Sequence, residues 1–325
     1  MRMRFRLLGL VLVSAAVIGA GCGRVRAKAA FKEGNKLYKE ENFKRAIEQY
    51  DEAVALEPDM AEAHFYLASS HQAMYRPGKD TPDNKEHLEK AIAEYKKALE
   101  LNANPALESL RAVRRNTLAA LTAIYSDDPY KSFDEAYGYA AQLVQDNPTD
   151  PKNLFAMAGL YEKFNKVDDA EKMYRKAVET NPQEVKACGA LAAFLNKPYW
   201  DGRSKFDEAV DTLQKCAGLQ PNDPAGYYKV ATFFWDKAYR DPLLNDKQKD
   251  EYADKGLESV DKALQLKPDY VDAIIYKGLL YRVKAQVSSN PRLRTQYLEQ
   301  AQTLQKQAVE LKKEAASAPA PAPAQ

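Results

Sequence analysis

Few side chains in this sequence could do chemistry. His64 and His71 stand seven residues apart, so a helix would carry both on one face. Two imidazoles could begin a metal site, but no nearby Cys/His spacing supplies the further donors that a zinc ion needs. Both fall where a large packing residue is wanted, and packing is the expected role. No His-Glu-x-x-His, Gly-x-Ser-x-Gly or phosphate loop occurs. The one glycine-rich stretch, residues 19–23, adjoins an apolar leader rather than a strand–helix turn. No catalytic role and no metal or other cofactor is expected.

Some function classes fall away on composition. The chain has 325 residues, of which 45% are hydrophobic and 10% aromatic, a balance that can build a core. Arg2, Arg4 and Arg6 precede an apolar run from Leu7 to Gly21, followed by Cys22. A basic start, an apolar centre of this length and small closing residues describe an export signal. The run is short for a membrane-spanning helix, which needs roughly 20 apolar residues. Its ending, Val-Ile-Gly-Ala-Gly-Cys, resembles a bacterial lipoprotein signal. That resemblance implies removal of residues 1–21, acylation of Cys22 and an address in the periplasm on a membrane, the outer membrane first. Ordinary cleavage after Ala20 and an uncleaved anchor are the alternatives. Removing residues 1–21 takes away three arginines and no acid, leaving 45 basic against 46 acidic side chains. Such a neutral mixture is no footprint for nucleic acid.

The elements come from a recurrent pattern. Ala46, Tyr50, Ala53 and Pro58 recur with identical spacing as Ala170, Tyr174, Ala177 and Pro182. Ala91, Tyr95 and Ala98 follow it without the proline, and the sets 209/213/216/221 and 256/260/263/268 follow it with substitutions. Each is preceded by apolar residues at helical spacing, as in Leu154, Met157, Ala158 and Tyr161. This arrangement resembles the tetratricopeptide repeat, a helical hairpin of period 34. The resemblance implies an all-α fold: a right-handed superhelical solenoid of about seven hairpins over residues 27–315. The expected units are 27–60, 61–105, 106–150, 151–184, 185–223, 224–270 and 271–315. Two need no gap, and the excess in the others is placed mostly between paired helices, with a longer first helix in the third. Residues 316–325, alternating Ala and Pro, are read as a disordered tail.

In that family the first helices line a concave groove that holds an extended or helical peptide. Carried over by position, the groove comprises Phe31, Asn35, Tyr38, Phe65, Tyr66, Ser69 and Phe155, then Tyr228, Lys229, Thr232, Trp235, Ile275 and Tyr276. Only small residues, Gly189, Ala190 and Ala193, stand there in the fifth unit. Many of these rings could equally pack between hairpins. A family subclass grips a C-terminal carboxylate with Lys and Asn. Asn35 matches one such position, but Phe31 and Tyr66 stand at others, so no such clamp is expected. Cys188 and Cys216 belong to the two helices of one unit. The usual register leaves them a turn out of alignment, and two buried thiols are expected. Polar insertions at 76–86, 196–205, 236–250 and 285–294 offer a second edge for binding or simply tolerated length.

The resemblance thus implies a lipid-anchored periplasmic scaffold that mediates protein–protein contacts in an envelope assembly, such as pilus assembly, outer-membrane insertion or secretion. Its partner is a protein or peptide, and its contact with the membrane is through Cys22. A lipoprotein binding peptides or glycans for uptake is the alternative reading.

Overall fold

A computed structural model describes residues 23–103, 105–197 and 205–317. The leader, Cys22 and residues 318–325 of the expected tail lie outside them. Every regular element among the described residues is an α-helix. None of these is long and apolar enough to cross a membrane.

The chain divides into two compact units, residues 1–166 and 167–325. The first holds α1 (23–39), α2 (Phe43–Leu56), α3 (Ala61–Met74), α4 (Pro82–Leu101), α5 (Glu108–Ser126), α6 (Phe133–Asp146) and α7 (Pro151–Lys163). The second holds α8 (Val167–Thr180), α9 (Val185–Leu195), α10 (Phe206–Leu219), α11 (Pro224–Arg240), α12 (Asp246–Leu266), α13 (Val271–Val287) and α14 (Pro291–Ser317). Within each unit a helix packs mainly on its neighbours in sequence, as a solenoid requires.

The local signals follow from residue chemistry. Thr81, Asp150 and Asp223 cap α4, α7 and α11 with their side-chain oxygens, and each precedes a proline that begins the helix. Pro58 lies in the turn after α2, just past the Glu57 cap, where a missing N–H costs nothing. In the two gap-free units the tight turn after the first helix holds one left-handed residue at the same repeat position, Glu41 (φ 58°) and Asn165 (φ 56°).

The excess residues do not mainly form loops, as expected from the sequence. They lengthen helices: α4, α11, α12 and α13 have 20, 17, 21 and 17 residues against 14 in α2. The 236–250 insertion is thus the end of α11, a turn at 241–245 and the start of α12. Its Lys237, Ala238, Arg240, Lys247, Gln248 and Lys249 propagate a helix readily. Likewise α14 runs through Ser317, two residues into the expected tail. The loop at 76–81 is organised by Asn84, whose amide accepts from the Arg76 N–H (2.7 Å) and donates to the Arg76 and Lys79 carbonyls (2.8 Å each). The 198–204 part of the 196–205 insertion lies outside the described residues.

The core is built of small residues facing rings. Ala46, Tyr50 and Ala53 are fully buried, and a Cβ on Gly34 would fall 2.6 Å from the Tyr50 ring. Only glycine permits that approach between α1 and α2.

Candidate functional site

The rings expected in the groove form two clusters. In the second unit, α11 supplies Tyr228 and Trp235 and α13 supplies Tyr276. The Tyr276 ring meets Tyr228 at 5.4 Å and Trp235 at 5.3 Å between centroids, edge to face in both cases. Tyr239, one turn beyond Trp235, stacks on it at 5.1 Å with 11° between planes, and is 58% exposed. Tyr270 extends the other end, 5.1 Å from Tyr228. Below them lie the small buried residues Ala231, Ala238, Ala253, Val260 and Ala263. The result is a strip of rings with one side on the core and the other accessible. Burial, then the neighbouring Tyr276, Asp272 and Tyr270 oxygens, push the Tyr228 hydroxyl up to about 12. It therefore acts as a neutral hydrogen-bonding group. Lys229 is exposed, its ammonium 5.6 Å from the Phe233 ring, and Ile275 turns toward α14.

The first unit holds a comparable set of rings. Tyr66 lies 5.8 Å from Phe31 and from Tyr38 and stacks on Tyr50 at 5.9 Å. Phe65 meets Tyr66 at 5.0 Å and the buried Tyr95 at 5.9 Å. Asn35 is committed, its side-chain oxygen accepting from the Tyr50 hydroxyl at 2.8 Å. The Ser69 hydroxyl lies 3.1 Å from that of Tyr95. Phe31, Tyr38, Phe65 and Tyr66 are thus half-buried, as Tyr228, Trp235 and Tyr276 are, and touch rings of neighbouring helices. Phe155 is half-buried on α7.

Profiles of the tetratricopeptide (TPR) repeat match residues 34–74, 83–105 and 129–193. The chain carries tetratricopeptide repeats. Hsp70-Hsp90 organizing protein 3 of Arabidopsis thaliana is 25% identical over 265 residues, 71% of this chain and 45% of that protein. A TPR repeat-containing protein of Methanocaldococcus jannaschii is 32% identical over 98 residues, 28% of this chain and 30% of that one. The chain spans less than half the length of either relative. Among solved structures, the C-terminal part of a TPR repeat-containing protein from Cytophaga hutchinsonii matches with a TM-score of 0.54 at 13% identity, over 86% of this chain and 98% of that one. That likeness concerns the fold alone.

Other TPR positions depart from the sequence reading. Cys188 and Cys216 form a disulfide joining α9 to α10, with Cα atoms 5.8 Å apart. The expected two free thiols are therefore corrected. The prediction assumed the tight turn of the gap-free repeats; here α9 stops at Leu195 and α10 restarts at Phe206, so that turn does not set the register.

His64 and His71 are both buried, at 7% and 5% exposure, but they serve different contacts on α4. His64 places Nδ1 2.6 Å from Glu94 and Nε2 3.0 Å from the Pro58 carbonyl. His71 pairs with His87, Nδ1 to Nδ1, at 2.9 Å. Burial, then His87 and Lys90, lower His71 to about 4. For His64, burial lowers the value but is outweighed by Glu94 and the Pro58 carbonyl, so the net direction is upward. Among the described residues no group of three or more His, Cys, Asp or Glu is arranged to hold a metal.

Two aromatic groups in the first unit escaped the sequence reading. Tyr125 touches Tyr130 and Tyr139 at 5.1 and 5.7 Å. Phe133 gathers Tyr137, Tyr161 and Phe164 beneath the Lys166 ammonium. Tyr130, Phe133, Tyr137 and Tyr139 sit at the α5–α6 turn and on α6, where the first-helix template does not look, while Tyr125, Tyr161 and Phe164 stand at the ends of α5 and α7. The signal available was the density of Tyr and Phe between 125 and 139.

Proposed function

We propose that this chain is a lipid-anchored periplasmic adaptor that holds a protein of an envelope assembly, non-catalytically, against the ring strip of α11 and α13. One observation carries the reading: Tyr228, Trp235, Tyr239 and Tyr276 make a continuous contact between two helices and keep an accessible side. Aromatic rings give a large contact area with little rotamer freedom to lose, which makes them natural anchors of an interface. The disulfide supports an oxidising compartment, as the periplasm is. The basic and apolar leader ending at Cys22 supports export and acylation. The Hsp70-Hsp90 organizing protein, by its name, brings proteins together, in keeping with such a role.

Two experiments test it. Partner recovery from solubilised membranes should be lost in Trp235→Ala and Tyr276→Ala while the melting temperature stays within a few degrees of the parent. Recovery that persists in either stable variant would remove the strip from consideration. Metabolic labelling with a palmitate analogue should mark the parent and not Cys22→Ser; equal labelling of both, or of neither, would reject the anchor.

A further inference from the structure

A second surface, separate from the ring strip's accessible side, lies between α13 and α14. It is a groove of about 290 Å³ whose lining includes Ile275, Leu279 and Arg282 from α13 and Ala308, Val309 and Lys312 from α14. Its floor repeats a pattern met elsewhere in the chain. Gly278 stands in α13 as Gly34 stands in α1, and Ala301 and Ala308 are spaced as Ala46 and Ala53 are. Where Tyr50 fills the centre in α2, Gln305 stands here and accepts from the Arg282 guanidinium at 2.8 Å.

The corresponding grooves earlier in the chain are filled by the helix that follows. On α1 and α2 the filler is α3, which brings Ala63 against Ala30 and Ala53 and Leu67 against Ala46 and Tyr50. On α11 and α12 it is α13, whose Leu280 comes so near that a Cβ on Gly256 would lie 2.7 Å from it. Among the described residues α11 and α12 pack on α13 from its other side, and α14 has no helix neighbour besides α13.

The lining decides what chemistry suits the groove. It contains no acid, is mostly apolar, and carries two cations, Arg282 and Lys312. We propose that it receives an amphipathic helix of another protein, one with small and aliphatic residues at helical spacing and acids on its flanks. The acids would meet Arg282 and Lys312 while the apolar stripe covers Ile275, Leu279 and Val309. A second copy docking through α1 fits poorly: Glu57 and Glu52 pair with Arg24 and Arg26, but Lys28, Lys32, Lys36 and Lys39 share that helix with a single acid, Glu33. Like charges set against one another at an interface oppose association.

The probe is the chain's own filler helix: a fluorescent, stapled peptide of α13, residues 271–287, in two versions. One keeps the natural residues; the other carries K277E, R282E and K284E. Fluorescence anisotropy against the full chain should show the acidic peptide binding at least tenfold more tightly than the natural one. Leu279→Asp should abolish binding. Arg282→Glu combined with Lys312→Glu, both on the helix surface, should reverse the preference. Equal binding of the two peptides, binding of neither, or an unchanged preference in the double variant would overturn the proposal. So would a concentration-dependent dimer, seen by sedimentation, that Leu279→Asp dissolves.

Discussion

Between α1 and α2 the close approach depends on a glycine in the first helix, Gly34, which admits the ring of Tyr50 from the second. Around α11 to α13 the glycine sits in the second helix: Gly256 admits Leu280 from the helix that follows, and Val260 stands at the position of Tyr50. Both arrangements bury small residues against a large one, but they leave the neighbouring rings in different situations. Tyr50 spans the layer and engages Phe31 and Tyr66. Val260 is too short to do so. Tyr228, Trp235 and Tyr276 pack on one another instead. A ring from the second helix thus centres one cluster, while a small residue underlies the other.

The comparison can be broken most directly at its pivot. Tyr50→Ala should cost about 3–5 kcal/mol, the range for removing a buried aromatic, and should also strand the Asn35 amide. Val260→Ala should cost clearly less. Urea unfolding of the two variants measures the difference, and equal losses would mean that the two layers are built alike. The next effect is confined to the second unit. Replacing Cys188 and Cys216 by serine should lose about 2–4 kcal/mol, because the bridge restrains the unfolded chain over a sequence separation of 28 residues. Hydrogen exchange should quicken in α9 and α10 and stay unchanged in α1 to α4; uniform quickening would contradict two separate bodies.

The smallest effect is a pH dependence within the first unit. His71 is held low, so between about 6.5 and about 4 the unfolded chain binds the proton that the folded one refuses. Stability then falls with pH through that window. His64 acts in the opposite sense and elsewhere. Its raised value adds stability that is fully present below about 6.5 and is lost as pH rises through the folded value. His71→Gln should flatten the acid slope of the first unit; an unaltered slope would exclude His71 as its cause.

The hairpins were legible because their signals are local: Ala46, Tyr50, Ala53 and Pro58 state a helix face and its end within thirteen residues. Trp235 and Tyr276 could also be placed together, since a repeat carries positions from one helix to the next. What could not be read depends on longer comparisons. The fates of Phe31 and Tyr66 turn on Tyr50 in another helix. The Cys188–Cys216 bridge depends on how a hairpin with a long connection sets its register. His71 was seen, but its partner His87 lies on the next helix, outside any spacing rule. The lengthened α11 and α12 look like an insertion to a template of fixed period, although their residues favour helix.

The disulfide also fixes how this chain would respond to being pulled. A stack of hairpins held largely by neighbour contacts can peel open one helix at a time under tension, each released helix adding length. The residues between Cys188 and Cys216 cannot join that extension while the bridge is intact. At about 3.5 Å per extended residue, roughly 95 Å of chain is withheld. The second unit thus has a built-in limit of travel, set by a thiol–disulfide equilibrium rather than by packing.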